Sequence, residues 1–250
     1  AIGRSSLQSN TIGTQNTAIG FQSLLSNTTG INNTGVGYQS SYYNTTGTAN
    51  TAVGFGSLLN NTVSNNSAFG YKSLFTNTTG YNNTAVGYHT LTLNTVGYNN
   101  VAIGLQSLYY NTSGARNVAV GVNALVNNTI GSHNNAFGYY SLKNNTTGAN
   151  NTAVGHKSLQ NNTIGYNNSA FGYDSLKSNT TGTYNTAIGM SALLANTTGS
   201  FNSAFGHGAL LYNATGVNNS AFGYFALFRN TVSNNNAFGF NALRENTTGV

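Results

Sequence analysis

The sequence predicts an all-β chain, a parallel β-solenoid (β-roll) of about fifteen coils of 17 residues each. Three observations lead there. One unit, seen at Ala153–Ser169 as A-V-G-H-K-S-L-Q-N-N-T-I-G-Y-N-N-S, recurs along the whole chain, and a period of this size signals a stacked repeat. Its fixed apolar or β-branched positions (2, 7, 12 and often 17) are five apart, whereas helical faces recur at three and four. Gly at positions 3 and 13 and Asn at 10 and 16 interrupt any helix longer than a few residues.

The unit opens with Ala, an apolar residue and Gly, at Ala1, Ala18 and Ala52 and onward to Ala237, with one variant at Gly35-Val36-Gly37. Position 2 is Ile, Val or Phe throughout, as in Val120, Val154 and Phe171. Position 7 is Leu except at Ser41, and position 10 is Asn from Asn10 to Asn246. Runs rich in β-branched and aromatic residues between Gly and Asn read as two or three short strands per coil. Stacking at the strand spacing of about 4.8 Å sets each position over its equivalent and gives a rod of roughly 70 Å. Val154 and Leu159 are then expected in the core, one Ile/Val/Phe and one Leu per layer. Gly at position 3 is expected to take positive φ or to admit a close backbone neighbour. The Asn columns are expected to turn corners in the left-handed conformation and to form side-chain ladders along the axis. Two copies of 16 residues, at Ala52–Ser67 and Ala221–Asn236, lack the second Gly and read as tighter corners. No linker is visible, so residues 1–250 read as one repeat array that begins and ends inside the pattern, a mature product or a slice of something longer.

Composition narrows the function. Hydrophobic residues make up 38% and charged residues 4%, far from the roughly 25% charge of an ordinary domain. Disorder could produce that bias, but 16 Tyr and 13 Phe at fixed places argue against it. There is no Cys, hence no disulfide framework. No stretch approaches the roughly 20 apolar residues of a membrane span. The net charge is +6, yet the eight cations occupy several unit positions, so no basic stripe for nucleic acid is expected.

The run Asn-Thr-Ala-Ile/Val-Gly, clear at Asn185-Thr186-Ala187-Ile188-Gly189, followed by Ser/Ala-Leu and Asn-Thr-Thr-Gly, resembles the head repeats of trimeric autotransporter adhesins and the tail-fibre-like repeats of bacterial and phage proteins. The resemblance covers the whole chain. It implies a left-handed parallel β-roll, three chains side by side, and attachment to surfaces. The unit here is longer than the family's head repeat and carries a nearly invariant Leu at position 7.

Catalysis needs convergent ionisable groups. The two acids, Asp174 and Glu245, lie about four coils apart in different columns and read as solvated surface residues. Of the four His, only His156 and His207 share a position, three coils or about 14 Å apart, too far for one zinc at about 2.1 Å from each ligand. No enzyme, metal or cofactor is expected. Position 4 offers an aromatic stripe of Phe21, Tyr38, Phe55, Tyr71, Tyr88, Tyr139, Tyr173, Tyr224 and Phe240, read either as a platform for sugars or as a cross-strand ladder. Position 10 offers sequons at Asn27, Asn44, Asn77, Asn111, Asn145, Asn179, Asn196, Asn213 and Asn246, candidate glycan acceptors in a secretory pathway.

These readings converge on an extracellular or cell-surface fibre or adhesin shaft. It would self-associate end to end or as a homotrimer, and surface glycans are its candidate partners. The alternative is an ice- or carbohydrate-binding solenoid. For ice, the Thr column at position 17 (Thr17, Thr34, Thr51, Thr84, Thr152, Thr186) with the Thr residues at 11 and 12 would form the flat face, although Val101, Val118 and Asn135 interrupt it.

Overall fold

A computed structural model describes residues 1–248. It contains fourteen three-residue strands and no helix among the described residues. The chain forms two compact units, Ala1–Asn123 with Asn127–Ile130, and Ala124–Val126 with Gly131–Val250. In the first, β1 (Thr17–Ile19) to β7 (Val118–Val120) form a parallel sheet in chain order, and the bridge Ile2↔Ile19 adds a rung. In the second, β8 (Asn135–Phe137) to β14 (Asn236–Phe238) do the same.

Equivalent residues stack. Between β9 (Thr152–Val154) and β10 (Ser169–Phe171) the register is Ser169↔Thr152, Ala170↔Ala153 and Phe171↔Val154, so position 17 lies over 17, 1 over 1 and 2 over 2. The register step is the sequence period, which is why the unit recurs: each coil completes its hydrogen bonds only on a copy of itself. The tight corners keep this register with one residue fewer. Asn61 Nδ2 donates to Val63 O at 2.7 Å, where full-length coils use the Gly13-column carbonyl.

Each coil holds one strand, not two or three. Positions 5, 7 and 15 stop the extended backbone, because they sit at φ near +55, as at Lys157 (56), Leu159 (50) and Asn167 (56). These left-handed residues aim successive amides at opposite neighbours. Lys157 N donates to Tyr139 O of the preceding coil at 2.9 Å, and Leu159 N to Ser175 O of the following coil at 3.0 Å. At the far corner the amides of Thr163, Ile164 and Gly165 all converge on Thr180 O, at 3.0 to 3.3 Å. The Asn residues at positions 10 and 16 do not take the left-handed conformation; the Asn residues at position 15 do, at Asn32, Asn99 and Asn167 among others.

The interior differs from the expected one. The Ala of position 1 and the Leu of position 7 are fully buried, as in Ala153 and Leu159. Position 2 faces outward instead, with Ile19 40% and Phe137 41% exposed. Side chains alternate along a strand, so Ala inside forces its neighbours at 17 and 2 outside. The coil is too narrow for two large residues per layer. Ser or Ala at position 6, Gly at 13, and Asn at 10 and 16 fill the rest of the interior. Gly155 has φ +132, and a Cβ there would meet Gly172 O at 2.5 Å. Positive φ and close approach are both required, which only Gly supplies.

The buried Asn residues form two ladders. In the column at position 10, Asn94 Nδ2 donates to Asn77 Oδ1 at 2.7 Å and Asn111 Nδ2 to Asn94 Oδ1 at 2.8 Å. The second amide hydrogen closes the local corner, Asn94 Nδ2 to Gly97 O at 2.9 Å. In the column at position 16, the oxygen accepts the next coil's backbone amide, Asn168 N to Asn151 Oδ1 at 3.0 Å. Most buried carboxamides are thus paired along the axis, as buried polar groups usually are; the position-10 ladder is interrupted at Asn44 and Asn196, whose Oδ1 atoms have no partner.

Candidate functional site

The surfaces available for function are the outward columns. Columns 17 and 2 flank the buried Ala and form the sheet face. Column 2 is apolar in every coil and remains open to solvent, with Phe69 41%, Ile103 39% and Ile188 39% exposed. Column 17 lays hydroxyls beside it, interrupted by Val101, Val118, Asn135 and Asn236. An ice-binding plane of Thr therefore has Ile, Val and Phe of unequal size as its immediate neighbour. The Thr hydroxyls of position 11 are already engaged, Thr163 Oγ1 donating to Thr180 O at 3.0 Å. Position 12 faces out as well, with Ile164 53% exposed, so the apolar spacing of five does not mark the core, whereas the strand alternation around Ala does.

The position-4 aromatics are brought together as stacks. In the first unit Phe21, Tyr38, Phe55, Tyr71 and Tyr88 follow one another at centroid distances of 4.9 to 5.2 Å with planes within 17°. In the second, Tyr139, His156 and Tyr173 stack, as do His207, Tyr224 and Phe240. Within each stack the faces between neighbours are covered, and only the end rings keep a face without a ring against it. A sugar stacks on an open ring face, and these columns present edges and hydroxyls instead. The cross-coil ladder is the arrangement present.

The sequon Asn residues lie inside. Asn27, Asn44, Asn77, Asn111, Asn145, Asn179, Asn196 and Asn213 have no exposed surface; Asn246, in the last described coil, is half-buried. Asn179 Nδ2 is representative: it donates to Asn162 Oδ1 at 2.8 Å and to Gly182 O at 3.0 Å. A glycan would need this same nitrogen, and the folded coil has no path to it.

The ionisable groups do not converge. Asp174 is buried, not solvated as expected, because the coil seats its position-5 side chain against the position-8 Lys177, whose Nζ lies 3.0 Å from Oδ2. Glu245 is exposed and faces Arg229 at 3.3 Å and Arg244 at 3.6 Å. His156 and His207 sit within separate aromatic stacks. His89 packs edge-on against Tyr71, Tyr88 and Tyr109; burial, and then the Lys72 charge, lower its pKa. Tyr139 is shifted up, chiefly by its hydrogen bond with Tyr140. Among the described residues no group of three or more His, Asp or Glu could hold a metal ion, and no helix is long and apolar enough to cross a membrane. Several cations lie over rings rather than in a basic stripe: Lys72 over Tyr71 and Phe75, Lys143 over Tyr140, Arg244 over Phe225 and Phe228.

Coils in parallel register, small buried residues and ladders on both sides of the wall define the chain as a repeat protein of the parallel β-solenoid class, with coils of 17 residues. Comparison with protein-family models gave no match, and comparison with curated proteins gave none either.

Proposed function

We propose that the chain is a structural segment of an extracellular fibre or adhesin shaft whose copies associate side by side, as a homotrimer, through the face carrying column 2. The observation that carries this reading is the apolar column itself, unbroken in sequence and exposed or half-exposed in each coil. Soluble monomers rarely leave more than a few hundred Å² of contiguous apolar surface open. A large aromatic ring about half exposed leaves on the order of 100 Å² uncovered. The seven rungs of one unit, counting columns 2 and 4 together, then approach the roughly 800 Å² per partner of a stable interface. The resemblance to adhesin head repeats supports both the chain number and a place outside the cell. End-to-end continuation through unpaired strand edges is compatible with the same assembly.

The test is sedimentation of the purified chain over a wide concentration range, alongside a variant carrying Val154→Asp, Phe171→Asp and Ile188→Asp. The chain is expected to sediment as a discrete oligomer, and the variant as a monomer with an unchanged β-type circular dichroism spectrum. A chain that stays monomeric at every concentration sinks the proposal.

A further inference from the structure

We infer that Tyr71–Tyr88 and Tyr81–Tyr98 are sites of oxidative dityrosine cross-linking, which staple two neighbouring coils together covalently. The coupling concerns the chain free of partners, because the association proposed above would cover column 4. The two pairs link the same two coils on different columns, 4 and 14. Tyr71 and Tyr88 are parallel within 11° at a centroid distance of 5.2 Å, and Tyr81 and Tyr98 within 9° at 5.1 Å. Tyr71, Tyr81 and Tyr88 are 38%, 45% and 52% exposed, so an oxidant reaches their edges. Near-parallel rings at these distances bring the carbons ortho to one hydroxyl close to the next ring. Rotamer motion of exposed side chains, on the picosecond to nanosecond scale, closes the remaining gap within a radical's lifetime.

The reaction needs hydrogen peroxide and a haem peroxidase. Each phenol gives up one electron and one proton and becomes a phenoxyl radical. The two radicals join through a new carbon–carbon bond between ortho carbons. The hydrogens displaced from those carbons move to the oxygens, which restores both aromatic rings and both hydroxyls. The peroxide takes up the two electrons and two protons and leaves as two waters.

The surroundings confine the coupling. In column 4 the ring before Tyr71 is Phe55 and the residue after Tyr88 is Leu105; neither has a phenol. Tyr38 lies between Phe21 and Phe55, and Tyr139 is separated from Tyr173 by His156. Tyr139 and Tyr140 also touch, as do Tyr42 with Tyr43 and Tyr109 with Tyr110, but chain neighbours couple in folded and unfolded protein alike and tie no coil to another. Tyr166 and Tyr184 meet across neighbouring coils at 5.5 Å, but edge to face at 78°, so their rings do not stack. Each proposed staple closes a loop of one repeat. It restrains the unfolded chain as a disulfide does, in a protein with no Cys.

The experiment treats the dilute full chain with hydrogen peroxide and a haem peroxidase. The monomeric fraction is digested and its cross-linked peptides are identified by mass spectrometry. Joined peptides containing Tyr71–Tyr88 and Tyr81–Tyr98 are expected to dominate the coil-to-coil products, and to vanish when the chain is oxidised in concentrated urea. Tyr88→Phe, which keeps the stack, should abolish the first product and leave the second. The inference is overturned if the same pattern arises in urea, if Tyr38 and Tyr173 cross-link between coils as readily, or if tyrosine is consumed with no coil-to-coil product within a molecule.

Discussion

Asn94→Ala tests the buried ladder most directly. Asn94 donates to Asn77 Oδ1 at 2.7 Å and to Gly97 O at 2.9 Å, and accepts from Asn111 Nδ2 at 2.8 Å. Gly97 O keeps a second donor, Asn83 Nδ2 at 2.9 Å, so removing Asn94 does not orphan it. Asn77 Oδ1 and one hydrogen of the Asn111 amide are orphaned, both in residues with no exposed surface. Each orphan costs about 1–3 kcal/mol, giving about 2–6 kcal/mol in all. Repeats couple chiefly to their nearest neighbours, so the loss falls on the coils beside Asn94. The assay is urea denaturation together with amide hydrogen exchange across residues 85–118. Protection there should fall by at least about tenfold, since 1.4 kcal/mol is one factor of ten. Val96→Ala, at a site 47% exposed, is the matched control and should change stability by less than about 0.5 kcal/mol. If Asn94→Ala costs no more than Val96→Ala, the ladder does not hold the coils together and the account of the interior is wrong.

Three further outcomes are expected. Leu159→Ala should cost about 2–5 kcal/mol, because the side chain is fully buried, while Val154→Ala on the outer face should cost about 0.5–1 kcal/mol; thermal or urea unfolding of the two variants would refute the inside-out assignment if their order reversed. Gly155→Ala should cost about 2–5 kcal/mol from positive φ and the clash with Gly172 O, and calorimetry showing a neutral effect would exclude the close coil contact. His89 has its folded pKa below the ordinary 6.5, through burial first and Lys72 second. The unfolded chain therefore binds more protons just below pH 6.5, and stability falls as the pH drops through that window while staying level above it. His89→Gln should flatten that slope in urea midpoints measured against pH.

The 17-residue step, the parallel register and the Asn ladders were legible because each follows from repetition: identical residues at one spacing must meet their equivalents once the coils stack. The inside and outside of the coil were harder to read. Val154 and Ile164 have the hydrophobicity of core residues, and Ala153 and Ser158 do not, yet it is Ala153 and Ser158 that are buried. Hydrophobicity is a poor guide where the cross-section admits one large side chain per layer, the column-7 Leu, and otherwise only small ones. The invariance of Ala beside a column that varies among Ile, Val and Phe was the usable signal, since a tight space tolerates one size and an open face tolerates several. The left-handed Leu of column 7 had no signal at all. That conformation costs about 1–2 kcal/mol per L-residue, and Leu159 holds it through full burial and the bond from its amide to Ser175 O.

The same economy explains why the site candidates dissolved into the wall of the coil. A 17-residue loop that buries Ala, Leu and Ser in each layer gains little from apolar area, so it must satisfy its corner carbonyls internally. Asn at positions 10 and 16 does this with two donors and one acceptor in a space that a larger side chain would overfill. The sequon is then incidental to the ladder. Asn162 shows the separation: it keeps both ladder bonds, to Asn145 Oδ1 and Gly165 O, although Ile164 stands where a sequon needs Ser or Thr. The column is kept where the sequon is lost, so the ladder, not modification, sets the Asn. What the coil leaves free to vary is its outer face, and there column 2 stays apolar in every coil while at least partly exposed. The side-by-side association proposed above accounts for that property, because a partner surface would offset the cost of wetting the column.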